Sequence, residues 1–564
     1  MFFITHHSSL STHRSSFIIH HSSFPKGGAE LNVRIILSSL GMLLLVFAAV
    51  MGVPLLVAIF YEGESARAAG RAVPVALWHL EIRAFSIAIG ISAVAGFVLR
   101  MLSRRTQAKD LTVREGFAVV AIAWALLAAV GALPFYLYGQ DRLASYTNCY
   151  FETISGLTTT GSSILLDIEA LPNGLLFWRS FTHWIGGMGI VVMAVAIFPA
   201  LGMGGYQLFR AEVSQASREK LTPRINETAK ILWGVYALFT LVLTLLLWLP
   251  GKLMPVGKMS LFDALCQTFG CLATGGFSTR NGSIADFHSV YIDIVITIFT
   301  FLAGMNFVLH YQALRGNVGA LLKDKQTQFY ATVIGMAIAV VTMSVFFIKP
   351  AVPVNSPVQF ASEQAKQKYV QTEQAKVATL PGALHHAAFE VVTTNCSCGF
   401  ATADYDLWPN FCRYLLVLLM FFGGCAGSTS GGLKMIRVML LLKMARREID
   451  KMIRPRAVLP VKLGGQVVDE DALRNVASLF VLWLSVFAGA TLIMTWFVPD
   501  IESAFSAVAC TMGGVGPGLA TVGPMQNFND VALPGKWVLS ACMLLGRLEI
   551  FSIVMLLFAK TWRR

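Results

Sequence analysis

The sequence has little charge for its length. Only 13% of its 564 residues are Asp, Glu, Lys or Arg, whereas 55% are hydrophobic. A soluble protein of this size needs far more charged surface, so the composition excludes an ordinary soluble globular protein. Apolar runs close to the roughly 20 residues that cross a bilayer recur instead, which predicts a polytopic membrane protein. The runs lie at 35–60, 116–137, 175–199, 231–250, 290–309, 329–347, 477–498 and 537–558, with a shorter run at 414–422.

Acidic residues are the scarcer sign of charge, with 31 Asp and Glu against 44 Lys and Arg, a net charge of +13. In a soluble domain this excess would suggest a nucleic-acid partner. Here the basic residues crowd into loops between apolar runs, a pattern typical of cytoplasmic loops. We therefore expect a lipid bilayer and no nucleic acid as partner, with both termini in the cytoplasm. The basic clusters lie at 100–114, 210–230, 315–325 and 434–474.

Signals for a bound cofactor or an export sequence are also missing. The nine cysteines suggest no disulfide framework, and the pair Cys396 and Cys398 lacks a partner pair at zinc spacing. No glycine-rich nucleotide fingerprint follows a strand, so any nucleotide is expected on a separate regulatory polypeptide. Residues 1–30 carry no clean signal-peptide pattern, and we expect a disordered tail or an overcalled start codon. No covalently bound cofactor is expected.

What the sequence does have is one unit that occurs four times. Each copy reads as an apolar span, a short helix, a polar glycine-containing stretch and a second apolar span. Aligning the copies on Gly161, Gly275, Gly399 and Gly516 brings these polar stretches together. The stretches are "GLTTTGSS" (156–163), "GCLATGGFST" (270–279), "NCSCGFAT" (395–402) and "GGVGPGLAT" (513–521).

The predicted fold is an all-α polytopic membrane protein. It consists of four pseudo-fourfold repeats, each with two helices flanking a pore loop, after an N-terminal two-helix hairpin. The predicted divisions are the tail at 1–30, the hairpin at 31–110 and the repeats at 111–225, 226–325, 326–465 and 466–564.

The polar stretches predict a path for a cation. Non-helical backbone cannot face lipid, so it survives at membrane depth only inside protein or around water. Carbonyl and hydroxyl oxygens from four such stretches can replace the hydration shell of an alkali cation, and glycine lets the chain turn at low steric cost. The helices before them direct their partly negative carboxyl ends towards the same place. The predicted filter residues are Thr159, Thr160, Gly161, Ala273, Thr274, Gly275, Ser397, Cys398, Gly399, Gly514, Val515 and Gly516.

A second glycine-rich segment interrupts the span of the third repeat. "GGCAGSTSGG" (423–432) contains Gly423, Gly424, Gly427, Gly431 and Gly432. One interpretation is a kinked helix packed closely on a neighbour. The other is an unwound gate loop beneath the filter, which would block the path and move aside.

Three charged residues of the repeats are candidate functional residues. Arg547 lies in the last span, where a charge costs several kcal/mol unless it meets water or a partner. We expect it to face the pore as an electrostatic barrier; the alternative is an ion pair with Glu549. Glu152 and Glu390 occupy matching places on two short helices, and either attract cations to the vestibule or hydrogen-bond nearby amides.

At these motifs the sequence resembles the Trk/Ktr/HKT superfamily of potassium transporters, most closely its TrkH branch. The resemblance implies potassium uptake across the bacterial inner membrane, a homodimer, a gate at 423–432 and a cytoplasmic ring of TrkA-like nucleotide-binding subunits. A membrane-embedded enzyme is less consistent with polar residues that repeat at one depth, so no catalytic residues are predicted. The alternative is a sodium-permeable or cation-coupled symporter of the same architecture. The motifs include "FETISGLTTTGSS", "HWIGGMGI", "ATGGFSTRN", "GSTSGGLKMIRV" and "LLGRLEIF".

Overall fold

A computed structural model describes residues 33–61, 78–103, 113–196, 225–253, 259–351, 362–548, 550 and 553–554. Within these ranges the regular secondary structure is helical, apart from a small hairpin that pairs Lys462–Leu463 with Gln466–Val467. Six helices are long and apolar enough to cross a membrane, or seven if one bent pair counts as a single span. The predicted helical, polytopic fold class is thus confirmed. The tail at 1–30 and most of the basic clusters at 100–114 and 210–230 lie outside the described residues.

The two N-terminal helices, Val33–Tyr61 and Trp78–Leu102, pack on each other. Gly41 and Gly96 are the closest point, because a Cβ atom on either would lie 2.8 Å from the carbonyl oxygen of the other. Small residues of this kind let two helices approach closely. Close packing matters in a bilayer because the lipid tails are as apolar as the side chains, so no hydrophobic effect drives the helices together. The two helices therefore form a hairpin that packs against the first repeat.

Each repeat contains an outer helix, a short pore helix and an inner helix. The outer helices are Val113–Gly131, followed by Leu133–Tyr138, then Ile225–Leu253, Lys325–Phe347 and Glu470–Met494. The pore helices are Tyr146–Leu157, Leu261–Leu272, Leu380–Asn395 and Ile501–Gly513. The inner helices begin with Asn173–Ala196, Val290–Ala303, Asn410–Phe421 and Leu533–Arg547. Between these elements lie the short helices Asp141–Ala144, Ala285–Phe287, Val318–Lys323, Glu363–Lys376, Tyr405–Leu407 and Ala520–Val522.

Two inner helices are broken. In the second repeat the chain bends by 105° between Val290–Ala303 and Phe307–Leu314. In the third, the helix stops at Phe421 and resumes as Met435–Ile453. Residues 423–432, which we call the glycine loop, are therefore unwound rather than a kinked helix.

Local sequence explains why the pore helices start where they do. Three of them begin after a residue whose side chain accepts a hydrogen bond from a first-turn amide: Ser260, Thr379 and Asp500. Such caps satisfy amides that have no partner inside the helix. Each pore helix is followed by a small or polar capping residue, where the polar stretch begins, so all four carboxyl ends lead into the candidate site. The capping residues are Thr158, Ala273, Cys396 and Gly514.

Candidate functional site

The four polar stretches form one closed ring. In each repeat a glycine with positive φ packs against a backbone carbonyl of the following repeat, and the fourth repeat closes onto the first. A Cβ atom added to these glycines would lie far inside van der Waals distance of that oxygen, so the contact depends on glycine. The contacts, from added Cβ to oxygen, are Gly161 to Gly275 (2.0 Å), Gly276 to Cys398 (2.0 Å), Gly399 to Val515 (1.8 Å) and Gly516 to Thr160 (2.6 Å).

The backbone has the same course in all four segments. Two residues before each ring glycine the chain adopts the left-handed conformation, at Thr159 (φ 52°), Thr274 (54°), Ser397 (53°) and Gly514 (70°). The next residue donates its amide to the carbonyl five residues earlier, from Thr160, Gly275, Cys398 and Val515, at 2.7–2.8 Å. We call 159–161, 274–276, 397–399 and 514–516 the ring segments.

This geometry corrects the sequence alignment of the second repeat by one residue. Gly275 was aligned with Gly161, but the equivalent ring glycine is Gly276, with φ of 81°. Ala273, predicted as part of the filter, is instead the right-handed cap of the pore helix, with φ of −75°. Two adjacent glycines fit the motif equally well, and only the backbone conformation distinguishes them. The predicted residues of the other three repeats do occupy equivalent places.

A polar side chain on each pore helix holds the chain that follows the ring segment. Glu152 accepts from the amide of Ile164 at 2.9 Å, and Glu390 accepts from the amides of Thr402 and Ala403 at 2.7 and 3.1 Å. Both carboxylates are fully buried. Of the two sequence-based interpretations, hydrogen bonding to nearby amides describes their positions. In the fourth repeat the hydroxyl of Ser506 likewise accepts from the amide of Leu519 at 3.0 Å, whereas in the second the Nε2 atom of Gln267 donates to the hydroxyl of Ser278 at 2.7 Å.

The two buried glutamates differ in their counter-ions. The Nε atom of Arg179 lies 2.6 Å from Glu152, and its Nη1 atom donates to the carbonyl of Ser278 in the second repeat. Among the described residues, Glu390 forms no ion pair, and its Oε2 atom has no hydrogen-bond partner. The first ring segment is thus braced by a buried ion pair and the third is not.

His183 is a site residue that the sequence did not reveal. Its Nδ1 atom lies 2.8 Å from the carbonyl oxygen of Gly156, and its Nε2 atom accepts from the amide of Phe277 at 3.2 Å. These partners assign a neutral ring that carries its proton on Nδ1. The ring is fully buried and lies 4.2 Å, between centroids, from Phe277. His183 therefore joins the first repeat to the exit of the second ring segment; the neighbouring glycines of "HWIGG" were the only hint of close packing.

The glycine loop contacts the second, third and fourth repeats near the ring. Its amide at Cys425 donates to Gly304 at 2.8 Å, and its carbonyl at Gly427 accepts from Phe307 at 3.1 Å, both in the second repeat. In the third repeat, Ser397 of the ring hydrogen-bonds both Ser430, at 2.9 Å between the hydroxyl oxygens, and the amide of Gly431. The loop meets the fourth repeat where Gly431 packs on Gly513 and where Arg547 donates to Thr429, and Arg547 in turn donates to Gly186 of the first repeat.

The individual glycines make these contacts possible. A Cβ atom at Gly424 would lie 2.4 Å from the carbonyl oxygen of Gly304, and one at Gly431 would lie 2.6 Å from that of Gly513 in the fourth repeat. Gly427 and Gly432 have φ of 75° and 65°. Gly423 packs on Gly431 within the loop itself. The loop is therefore shaped by close backbone contacts that larger residues would break.

Arg547 and the loop residue Thr429 meet. The Nη1 atom of Arg547 donates to the carbonyl of Thr429 at 2.7 Å, and its Nη2 atom donates to that of Gly186 at 3.5 Å. The hydroxyl of Thr429 donates to the carbonyl of Leu272, the last residue of the second pore helix, at 2.9 Å. The guanidinium is buried and, among the described residues, makes no ion pair. Glu549, the alternative partner, lies outside the described residues.

Comparison with known proteins agrees with this arrangement. The family model for TrkH, a cation transport protein, matches residues 82–563. The Escherichia coli K12 Trk system potassium uptake protein TrkH is 35% identical over 535 residues, covering 94% of this chain and all of that relative. The Escherichia coli protein TrkG is 30% identical, covering 94% of this chain and 99% of that relative.

A solved structure is similar over the same span. The crystal structure of the potassium transporter TrkH from Vibrio parahaemolyticus superimposes with a TM-score of 0.78 at 32% identity, covering 94% of this chain and all of that one. The resemblance and the prediction of transport rather than catalysis are thereby confirmed. With a family model spanning most of its length and relatives that match from end to end, this chain belongs to the TrkH family of cation transport proteins.

Proposed function

We propose that this protein takes up potassium ions through the centre of the ring. The observation that carries the proposal is the closed cycle of four glycine-to-carbonyl contacts, because it gathers backbone oxygens of all repeats at one place. Rings of backbone carbonyls are how proteins replace the hydration shell of potassium. The relatives are named Trk system potassium uptake proteins, which points to the same ion. Potassium is then the substrate, and no covalent cofactor takes part.

The proposed filter follows the corrected register. It consists of one three-residue segment from each repeat, in which the ring glycine comes last. Ala273 drops out of the originally predicted set and Gly276 enters it, while Thr274 and Gly275 move one place along. The residues are Thr159, Thr160, Gly161, Thr274, Gly275, Gly276, Ser397, Cys398, Gly399, Gly514, Val515 and Gly516.

The glycine loop is the proposed gate. It lies at the carboxyl ends of the pore helices, touches Ser397 of the ring and is tied to Arg547 by way of Thr429. A cation that leaves the ring on this side meets the loop and a fixed positive charge, both of which oppose its passage. We expect deletion of 423–432 to raise basal flux, and unchanged uptake by the folded variant would contradict a gating role.

A cytoplasmic, nucleotide-binding subunit similar to TrkA is the proposed regulator. The loop continues directly into Met435–Ile453, a helix rich in basic residues, and the Nζ atom of Lys434 donates to the carbonyl of Ser430. A partner that binds and moves this helix can therefore displace the glycine loop. We further propose a homodimer in the bacterial inner membrane with both termini in the cytoplasm, on the basis of the basic loops.

A sodium-permeable or cation-coupled symporter of the same architecture is the second candidate. It is favoured by the unequal side chains at the left-handed ring position, which are Thr159, Thr274 and Ser397 but Gly514 in the fourth repeat. The fourth segment thus lacks a hydroxyl that the other three have, so the ring is less symmetric and has less to fix the spacing that distinguishes potassium from the smaller sodium ion.

Rubidium uptake into liposomes containing the purified protein tests the proposal. We expect uptake that is blocked by potassium and only weakly by sodium. Equal competition by sodium would favour the second candidate. Absence of any alkali-cation flux, both in the intact protein and in the variant lacking 423–432, would refute both.

A further inference from the structure

The segment between the outer and pore helices of the third repeat contains a polar helix, Glu363–Lys376. From sequence it reads as a solvated excursion with some helix. In the structure one face of it is docked: Glu373 and the following Val377 are buried, and Tyr369 is half-buried. These positions recur at helical spacing, so a single face turns inward. We call this helix the strap.

The strap is docked on the chain that leaves the third ring segment. The hydroxyl of Tyr369 donates to Asp404 at 2.9 Å, and Glu373 accepts from the amide of Asp404 at 3.0 Å. Lys376 forms an ion pair with Glu373 at 2.7 Å and donates to the carbonyl of Thr402 at 2.9 Å. All these contacts are at the opposite end of the ring segment from the glycine loop.

Thr402 is consequently held from both sides. Its amide donates to Glu390 of the pore helix, and its carbonyl accepts from Lys376 of the strap. In the first repeat a buried arginine, Arg179, braces the equivalent glutamate, whereas Glu390 has no ion pair among the described residues. In the third repeat the positively charged side chain at this position is therefore that of Lys376.

Displacement of the third ring segment would change its contacts with the second and fourth ring segments. In this segment Gly399 packs on the carbonyl of Val515 in the fourth repeat. Gly276 of the second repeat packs on the carbonyl of Cys398. The network also continues into the fourth repeat, since Asp406 donates its amide to Asp404 and accepts from the amide of Ala520. Two of the four ring contacts therefore depend on where the third segment lies.

We propose that the strap fixes the exit of the third ring segment, and that Lys376 is the positioning residue through which it sets ion affinity and selectivity. This inference rests on the proposed potassium function. Removing the ammonium group frees the carbonyl of Thr402 and leaves Glu373 unpaired, so the third segment loosens while the rest of the ring keeps its contacts. The first repeat, braced by Arg179, needs no strap.

The test is rubidium uptake by Lys376→Met, Lys376→Arg and Lys366→Met in liposomes, with sodium as competitor. Lys366 is the matched control, because it lies on the same helix and its one ion pair among the described residues is with the exposed Glu363. We expect Lys376→Met to raise the half-saturating rubidium concentration, or the effect of sodium, at least threefold at an unchanged maximal rate. Lys376→Arg should restore most of the difference, and Lys366→Met should match the parent protein.

Equal affinity and sodium competition in Lys376→Met and Lys366→Met would overturn the proposal. If Lys376→Met does not fold, Tyr369→Phe decides in its place, since it removes the hydroxyl that donates to Asp404. If the parent protein takes up no rubidium, the proposed function fails. Amide hydrogen exchange at residues 399–407 then still tests whether the strap holds this segment. Faster exchange in Lys376→Met than in Lys366→Met supports docking of the strap, and equal exchange overturns it.

Discussion

Replacement of a single ring glycine by alanine gives a quantitative test of the ring. In Gly276→Ala the new methyl group would lie 2.0 Å from the carbonyl oxygen of Cys398, against at least 3.4 Å for ordinary contact. The third segment must therefore retreat by about 1.4 Å (3.4 minus 2.0) or the second must bend. Positive φ costs an alanine about 1–2 kcal/mol, and overpacking adds about 1–3 kcal/mol.

Gly316→Ala is the matched control for backbone strain. Gly316 has a similar φ of 92°, but an added Cβ atom would meet nothing within 4 Å. The Gly316→Ala variant should lose about 1–2 kcal/mol of unfolding free energy, the cost of positive φ alone, and should keep the rubidium flux of the parent protein. In Gly276→Ala we expect rubidium flux to fall about tenfold or more, since a loss of 1.4 kcal/mol in ion coordination is a factor of ten.

Flux per folded molecule in liposomes, together with thermal unfolding, separates the two effects. The reasoning is refuted if Gly276→Ala transports at the parent rate and loses no more stability than Gly316→Ala. Lower flux in both variants to the same extent would also count against the ring, because it would assign the loss to backbone strain alone.

Two further predictions concern buried and docked carboxylates. Glu152→Gln leaves the buried Arg179 unpaired and should cost about 3–5 kcal/mol of stability; Glu390→Gln should cost about 1 kcal/mol or less, because only hydrogen bonds change. Equal losses in thermal unfolding would contradict this difference. Burial and the neighbouring Asp406 carboxylate raise the pKa of Asp404 from 3.8 to about 7, so the fold favours its protonated form. Stability from this group is therefore greatest at low pH and declines as the pH rises towards about 7. Hydrogen-exchange protection of the strap, corrected for intrinsic rates, should be lower at pH 8 than at pH 6, and Asp404→Asn should abolish the difference; unchanged pH dependence in that variant would exclude Asp404 as its source.

The sequence predicted the fold class and the repeated unit because both leave strong signals. Apolar runs separated by basic loops indicate spans, and a glycine-containing polar stretch after a short helix recurs in four places. The one-residue error in the second repeat arose at Gly275 and Gly276, where identical neighbours leave no compositional signal. Only φ, a property of the folded backbone, distinguishes them.

Contacts between distant parts of the chain were beyond the sequence. Nothing in the local pattern links Arg179 to the carbonyl of Ser278, or Arg547 to that of Thr429, since each pair joins different repeats. The strap was missed for a similar reason. Its composition is that of a solvated helix, and its docking depends on Asp404, which lies beyond the pore helix and ring segment.

Ion density at the ring tests the central claim most directly. Crystals grown with rubidium, with data collected at its absorption edge, would place the ion by its anomalous signal. The account predicts a peak encircled by the carbonyl oxygens of Thr160, Gly275, Cys398 and Val515. A clear rubidium peak elsewhere in the protein, with none inside the ring, would contradict it.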